Sequence, residues 1–109
     1  LVAIVDYNKK QIDGCTDDVM SLGDMRAKYE AFGWTVLEMN GNNMQEVVDT
    51  LNQARKGAHQ GKPQLILAHT EMGMGVDFMM GTHKWHGSAP NDEQAANALS
   101  QLEETLGDY

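Results

Sequence analysis

Three short apolar runs constrain the fold of this 109-residue chain more than any other feature. Residues 1–5, 35–39 and 64–68 are rich in Leu, Val and Ile, and each run has the length of a β-strand rather than of a buried helix. Helical patterns lie between and after the runs, so strands and helices alternate along the chain. This alternation predicts an α/β fold, in which a parallel sheet with right-handed crossovers carries helices on both faces.

The first helical pattern covers residues 23–32 and separates the first two apolar runs. Ser21 and Asp24 form a capping-box pattern before it, and Gly33 is placed to end it. The residues spaced for one apolar face are Met25, Tyr29 and Phe32. This pattern predicts an amphipathic helix that packs on the sheet.

Two further helical patterns cover residues 44–56 and 92–106. Asn43 is placed to cap the second helix, with Glu46 three residues later. The residues expected to face inward are Met44, Val47, Val48, Leu51 and Ala54 in the second helix, and Ala95, Ala98, Leu99, Leu102 and Leu106 in the third. The region 70–90 before the third helix has no periodic pattern, and a loop of that length in a compact domain is usually functional or disordered.

The charge and composition exclude several classes of function. The net charge is −8, from 16 acidic and 8 basic residues, which argues against binding to nucleic acid or to an anionic membrane. No apolar run approaches the ~20 residues that a membrane span requires. Cys15 is the only cysteine, so no intrachain disulfide can form, and a reducing compartment such as the cytoplasm is favoured.

Polar and glycine-rich segments follow each of the three predicted strands. They occupy residues 6–8, 40–43 and 69–75. In open parallel sheets, ligands bind outside the carboxyl ends of the strands, and all three segments are expected at that edge. The sequence therefore predicts a binding site along one edge of the sheet.

Asn8 carries the first candidate chemistry at this edge. Its amide oxygen, together with backbone carbonyls of the following loop, is a ligand type that suits Mg²⁺ or Ca²⁺, particularly when a phosphate completes the coordination. Asp6 is placed as an outer partner of such a cation. Asp and Asn are also ordinary turn residues at strand ends, so a simple turn is the alternative interpretation.

His83 and His86 flank Trp85 in the glycine-rich region. They could join His69 and Cys15 as zinc ligands. A histidine in such a loop is also suited to proton transfer, or to a hydrogen bond with a phosphate or a sugar hydroxyl. A surface imidazole packed on Trp85 is the third interpretation that the residues leave open.

The segments "IVDYNKKQIDG", "YEAFGWTV" and "HTEMGMGVDFMMGTHKWHGSAPNDEQ" together resemble transketolase, and the resemblance spans essentially the whole chain in the same order. The similarity is to the N-terminal subunit of the bacterial split form, in which the thiamine-diphosphate-binding half is a separate chain. It implies that residues 1–109 are the C-terminal part of that PP-type domain. The implied activity is the transfer of a two-carbon ketol unit between sugar phosphates in the pentose phosphate pathway.

The resemblance also implies roles for individual residues. The Asn8 side chain and the Lys10 backbone carbonyl are implied ligands of a divalent cation, Mg²⁺ or Ca²⁺, that bridges the cofactor diphosphate. Ile12 is implied to pack on the thiazolium ring of thiamine diphosphate. His86 matches a catalytic histidine near the diphosphate and the substrate channel. The glycines implied to permit tight turns around the site are Gly14 and Gly73.

Two parts of the family site do not occur in this sequence. The Gly-Asp-Gly motif, whose Asp is the main carboxylate ligand in the family, is absent and is expected before Leu1; Met72 stands where the family often has Lys. In the family a pyrimidine-binding domain, whose Glu activates the cofactor, completes the site and is also absent here, so the expected partners are a preceding N-terminal segment and a pyrimidine-binding subunit, in a homo- or hetero-oligomer. The isolated chain is expected to be inactive. A deoxyxylulose-phosphate synthase-like enzyme and a non-catalytic α/β scaffold are the alternatives.

Overall fold

The computed structural model describes residues 1–103, which form a small α/β unit. In chain order the elements are β1 (Val2–Asp6), β2 (Lys10–Gln11), β3 (Gly14–Cys15), α1 (Thr16–Val19), α2 (Met25–Ala31), β4 (Thr35–Asn40), α3 (Met44–Lys56), β5 (Gln64–His69) and α4 (Asp92–Gln101). The strands β1, β5 and β4 form a parallel sheet with β5 in the centre, and β2 and β3 form a separate antiparallel hairpin. The three predicted strands are confirmed, each to within one residue at either end.

The central strand β5 divides the core into two clusters, one on each face of the sheet. Its side chains alternate between the faces, and Leu65 and Ile66 are both 0% exposed. The cluster beneath α3 contains Met39, Ala54, Ile66 and Ala68, with Leu37 and Val47 packed against it. The cluster beneath α2 contains Val36, Leu65 and Leu67, with Ala3, Val5, Met25, Tyr29 and Trp34. Helices therefore cover both faces, as predicted.

Strand β1 lies at an edge of the sheet and is only partly covered. Ala3 and Val5 pack in the cluster beneath α2, so Val2 and Ile4 alternate onto the opposite face. There Ile4 is adjacent in register to Ile66 of β5 but is 56% exposed. The core of the described residues therefore lies beneath β5 and β4 and ends before it reaches the outer side of β1.

Helix α3 has the bounds that its pattern predicts, but its buried stripe is narrower than predicted. Asn43 caps it, and its Oδ1 accepts from the backbone N–H groups of Gln45 at 3.0 Å and of Glu46 at 3.2 Å. Thr50 and Ala54 are buried. The predicted inward residues that are instead exposed are Met44, Val48 and Leu51. A three-stranded sheet offers a narrow surface, so it covers only one line of side chains along this helix.

Helix α2 differs from its prediction at both ends. Asp24 itself is the N-cap and accepts from the Ala27 N–H at 2.9 Å, so the predicted capping box with Ser21 is wrong. Phe32, at the C-cap, is 82% exposed, so its predicted inward orientation is wrong: no element of the described residues covers this end of the helix face. Gly33 ends the helix as predicted, with a φ of 84° and its N–H bonded to the Glu30 carbonyl at 2.9 Å.

Helix α4 is shorter than its pattern predicts and ends at Gln101. Leu102 has extended backbone at the C-cap and is 47% exposed, and Leu99 is 71% exposed, so the predicted inward orientation of both residues is wrong. Ala98 is buried as predicted. Leu106 lies outside the described residues. No helix within residues 1–103 is long and apolar enough to cross a membrane.

Candidate functional site at the carboxyl ends of the strands

The segments after β1 and β5 meet at the carboxyl edge of the sheet. The Tyr7 N–H donates to the Ala68 carbonyl at 2.8 Å, which extends the pairing of the two strands. Close to this bond, the Thr70 hydroxyl donates to the Asp6 carboxylate. Asp6 is thus held by a partner on the loop that leaves β5, and Asn8 lies two residues beyond it.

The segment after β4 joins the same edge through backbone hydrogen bonds. The Gly41 N–H donates to the His69 carbonyl at 2.7 Å, and the Glu71 N–H donates to Asn42 Oδ1 at 2.7 Å. The Glu71 carboxylate in turn accepts from the Gly81 N–H at 2.6 Å. Glu71 therefore fastens the long loop after β5 to the loop after β4, and the predicted meeting of all three segments is confirmed.

Asn8 forms a compact turn with Lys10. Asn8 Oδ1 accepts from the Lys10 N–H at 2.9 Å, and Lys9 between them has a φ of 58°, in the left-handed region. The Lys9 carbonyl accepts from the Thr16 N–H at 3.0 Å, which ties the turn to α1. Asn8 therefore forms a turn, as one of its two interpretations predicts. A carbonyl oxygen has two lone pairs, and this hydrogen bond uses one of them. The other leaves Asn8 Oδ1 able to coordinate a cation as well.

The β2–β3 hairpin presents the other residues implied in cofactor binding. Lys10 pairs with Cys15, and the Lys10 ammonium lies 3.3 Å from Cys15 Sγ. Ile12 is 69% exposed at the tip of the hairpin. Gly14 is buried and closes the two-residue turn with extended backbone, at a φ of 158°. A large apolar side chain exposed beside the Asn8 turn is suited to contact a ring.

At Gly73 a side chain would meet both an unfavourable backbone conformation and a steric overlap. Its φ is 70°, and a Cβ built on it would overlap the Cβ of Met79 and lie 3.1 Å from the Met79 carbonyl carbon. The Val76 N–H donates to the Gly73 carbonyl at 3.0 Å, and Val76 is buried. The loop therefore folds back tightly on itself at Gly73, as the tight-turn prediction requires.

His86 lies in the second half of the same loop, in a turn with His83. The His86 N–H donates to the His83 carbonyl at 2.9 Å, and the His86 side chain is exposed. The indole N–H of Trp85 donates to the Phe78 carbonyl at 3.1 Å, and the two rings meet edge to face at 5.3 Å. Trp85 therefore fixes the turn. Within residues 1–103, no hydrogen bond joins His86 to the Asn8 turn.

The zinc site considered from the sequence is not formed. It required ligands from Cys15, His69, His83 and His86. No three His, Cys, Asp or Glu side chains come together as a metal-binding group in the part of the chain that the structure describes. His69 instead makes a 2.7 Å contact with Glu38, so one of its nitrogens is already engaged.

Glu38 joins three elements through its two carboxylate oxygens. Oε1 lies 2.5 Å from Arg26 Nε on α2, and Oε2 lies 2.7 Å from His69 Nε2 at the end of β5. Arg26 also bonds Glu30 at 2.9 Å. The hydrogen bond from Arg26, and then that from His69, hold the pKa of Glu38 below its ordinary value of 4.5. The sequence signal was one charged residue inside the apolar run 35–39.

This lowered pKa gives a testable pH dependence. Because the carboxylate is favoured in the folded state, its interactions stabilise the fold above the ordinary pKa of 4.5 and are lost as the pH falls through the lowered folded pKa. We expect a ¹³C NMR pH series to give a pKa below 4.5 for the Glu38 carboxyl. In Arg26→Gln this pKa is expected to rise, because the hydrogen bond from Arg26 is lost. Lys28→Gln is the matched control, because Lys28 bonds the Leu22 carbonyl instead. An unchanged Glu38 titration in Arg26→Gln would contradict the assignment.

An open cavity of about 660 Å³ lies away from the Asn8 turn. It is open to solvent and lies between α4 and the long loop that follows β5. Its lining includes Phe78, Lys84, Trp85, Glu93 and Asn97. None of the residues implied in metal binding lines it. The candidate site is therefore an exposed edge of the sheet rather than an enclosed pocket of the described residues.

Comparison with known proteins identifies the family of this chain. A protein-family profile described as "Transketolase, thiamine diphosphate binding domain" matches residues 1–106. The chain is 43% identical over 106 residues to one subunit of the apulose-4-phosphate transketolase of Phocaeicola vulgatus, covering 97% of this chain and 37% of that protein. It is 39% identical to 6-deoxy-6-sulfo-D-fructose transketolase subunit SqwG of a Clostridium species, covering 94% of this chain and 37% of the relative.

The fold is similar to that of solved transketolases. Transketolase from Pichia stipitis in complex with sedoheptulose 7-phosphate superposes with a TM-score of 0.79 at 27% identity, over 92% of this chain and 14% of that one. A variant of the same enzyme with fructose 6-phosphate gives the same values. This chain therefore spans 37% of the curated relatives described above and a smaller part of the solved structures.

Proposed function

Because this chain belongs to the transketolase family, in its thiamine diphosphate-binding domain, we propose that it forms part of a transketolase active site. Residues 1–109 are, in this proposal, the C-terminal part of that domain. The assembled enzyme transfers a two-carbon ketol unit between sugar phosphates and uses thiamine diphosphate with Mg²⁺ or Ca²⁺. The observation that carries the proposal is the Asn8–Lys10 turn at the carboxyl end of β1.

The donor atoms of this turn fit a hard divalent cation. Asn8 Oδ1 and the Lys10 carbonyl are neutral oxygens of the type that Mg²⁺ and Ca²⁺ accept. They carry no formal charge, so they hold a dication less strongly than a carboxylate does. Since no acidic metal-binding cluster exists among residues 1–103, further ligands come from the diphosphate and from a preceding segment of the subunit.

Ile12 and His86 are proposed to contact the organic parts of the site. Ile12 is exposed beside the Asn8 turn, and covering it with the thiazolium ring removes apolar surface from water. The exposed His86 imidazole can hydrogen-bond a phosphate or sugar hydroxyl, or transfer a proton to it. The cofactor, when bound, supplies the chemistry of breaking and forming the carbon–carbon bond.

The proposed partners follow from how little of the relatives this chain spans. Two of the relatives named above are called transketolase subunits, and the chain covers 37% of each. We infer a pyrimidine-binding partner subunit that completes the site, in an oligomer that acts on sugar phosphates. Those relatives are named for different sugars, so we assign no single sugar substrate. The lone Cys15 favours a reducing compartment such as the cytoplasm.

Calorimetric titration with thiamine diphosphate and Mg²⁺ tests this function. The isolated chain is expected to show no binding at micromolar concentrations, because two neutral ligands do not offset the cost of desolvating the cation and the diphosphate. The assembly reconstituted with its preceding segment and partner is expected to bind both and to transfer ketol units. Inactivity of that assembly on every sugar phosphate tried would contradict the proposal.

The Asn8→Ala variant of the assembly tests the residue that carries the proposal. Removing one of the cation's oxygen ligands is expected to weaken Mg²⁺ binding by about tenfold or more. Asn52→Ala is the matched control, because Asn52 is exposed on α3. Equal Mg²⁺ affinity in the two variants would remove Asn8 from the metal site.

A further inference from the structure

A continuous line of side-chain contacts runs from α2 to the Asn8 turn. It starts at Arg26, passes through Glu38 on β4, and reaches His69 at the end of β5. The His69 ring then meets the Tyr7 ring edge to face, with centroids 5.5 Å apart and planes at 68°. Tyr7 directly precedes Asn8. Each of the four side chains comes from a different segment, so the line crosses the whole sheet.

Tyr7 is held on more than one side. Its backbone N–H is bonded to the Ala68 carbonyl at 2.8 Å, its ring contacts His69, and the Lys9 ammonium lies 5.8 Å from the ring centroid. Lys9 is also the left-handed residue that closes the Asn8–Lys10 turn. A shift of the Tyr7 ring therefore acts on both residues that flank Asn8.

These contacts are poorly explained by stability alone. Arg26, Glu38 and His69 are each half-exposed, and ion pairs in that setting contribute little to the stability of a fold. Their geometry is nevertheless specific, because each Glu38 oxygen has its own partner, one on α2 and one at the end of β5. Hydrogen bonds of this kind around metal ligands commonly orient the ligand rather than support the fold.

We propose that Glu38 and His69 are positioning residues for the Asn8 turn, acting through the Tyr7 ring. This inference rests on the proposed function, in which Asn8 and Lys10 hold the divalent cation. Glu38 fixes the imidazole of His69, His69 fixes the ring of Tyr7, and Tyr7 fixes the direction of the Asn8 amide. In this proposal the three residues act through the turn and are not ligands of the cation.

The first test measures amide hydrogen exchange of Lys10 by NMR in the chain itself, without metal or cofactor. The Lys10 N–H donates to Asn8 Oδ1, so its protection reports directly on the turn. Glu38→Ala and His69→Ala are expected to raise its exchange rate by about tenfold. Glu30→Ala is the matched control, because Glu30 bonds Arg26 but does not reach His69. Equal Lys10 exchange rates in Glu38→Ala and Glu30→Ala would overturn the proposal.

The second test measures Mg²⁺ affinity in the reconstituted assembly with thiamine diphosphate. Glu38→Ala and His69→Ala are expected to weaken it by about tenfold, with kcat at saturating Mg²⁺ within about twofold of the wild type. Tyr7→Leu is expected to weaken Mg²⁺ affinity to a similar extent. Tyr7→Phe is expected to keep the wild-type Mg²⁺ affinity, because the phenylalanine ring can still contact His69. A parallel loss of kcat and of thermal stability would show a merely structural role and overturn the proposal.

The two tests separate this inference from the proposed function. If the wild-type assembly binds no Mg²⁺ with thiamine diphosphate, the proposed function fails and the positioning role fails with it. If the wild type binds both and the Glu38 and Glu30 variants have equal Mg²⁺ affinity, the positioning role alone fails. Faster Lys10 exchange together with weaker Mg²⁺ affinity in Glu38→Ala supports it.

Discussion

Replacing Ile66 by Ala is expected to lower the free energy of unfolding by about 2–5 kcal/mol, which is the cost typical of truncating a buried Ile. Ile66 is 0% exposed at the centre of β5 and packs with Met39, Ala54 and Ala68 beneath α3. A three-stranded sheet has few other apolar contacts on that face, so the cavity cannot be filled easily. Urea unfolding monitored by circular dichroism gives the measurement.

Ile4→Ala is the matched control for this loss. Ile4 is the same residue type and lies beside Ile66 in register on the neighbouring strand, but it is 56% exposed. Truncating it removes little buried surface, so we expect a change of about 1 kcal/mol or less. If Ile4→Ala lowered the free energy of unfolding as much as Ile66→Ala, the face of β1 that carries Ile4 would be buried in solution.

Gly73→Ala is expected to be the most damaging substitution in the long loop. Alanine in the left-handed conformation costs about 1–2 kcal/mol, and forcing its Cβ against Met79 costs about 1–3 kcal/mol more. The backbone of Met79 lies too close to give way by a rotamer change alone. The fluorescence of Trp85, whose indole is bonded within the same loop, reports whether the loop still folds.

Gly81→Ala separates these two costs. Gly81 has nearly the same left-handed conformation, with a φ of 72°, but no atom lies within 4 Å of a Cβ built there. We therefore expect Gly81→Ala to show the conformational cost alone. The difference in unfolding free energy between the two variants measures the overlap with Met79, and a difference of zero would mean that the loop opens at Gly73.

The sheet was predictable from the sequence because its signals are local. The apolar runs of β1, β4 and β5 are bounded by polar residues, and Asn43 marks the start of α3 unambiguously. The exposure of Phe32 and Leu99 was not predictable, because periodicity says which residues share a helix face but not whether a neighbouring element covers it.

The site was predictable to the level of its edge and its Asn8 turn. Topology alone places the carboxyl ends of parallel strands together, and the contacts among Asp6, Thr70, Gly41 and Glu71 confirm it. The ligand roles of Asn8, Lys10, Ile12 and His86 remain predictions. The Glu38 contacts were missed because Arg26 and His69 lie 12 and 31 residues away in sequence, and no local rule pairs such residues.

Strand β1 lies at an edge of the parallel sheet, and this affects how the protein behaves in solution. The first five residues of the chain are all apolar, with no proline, lysine or bulge to discourage the addition of another strand, which is the profile of a segment that nucleates fibrils. The net charge of −8 opposes such growth by mutual repulsion between molecules. Added salt shortens the range of that repulsion, so colloidal stability should be greatest at low ionic strength and should fall as the protein is acidified toward its isoelectric point.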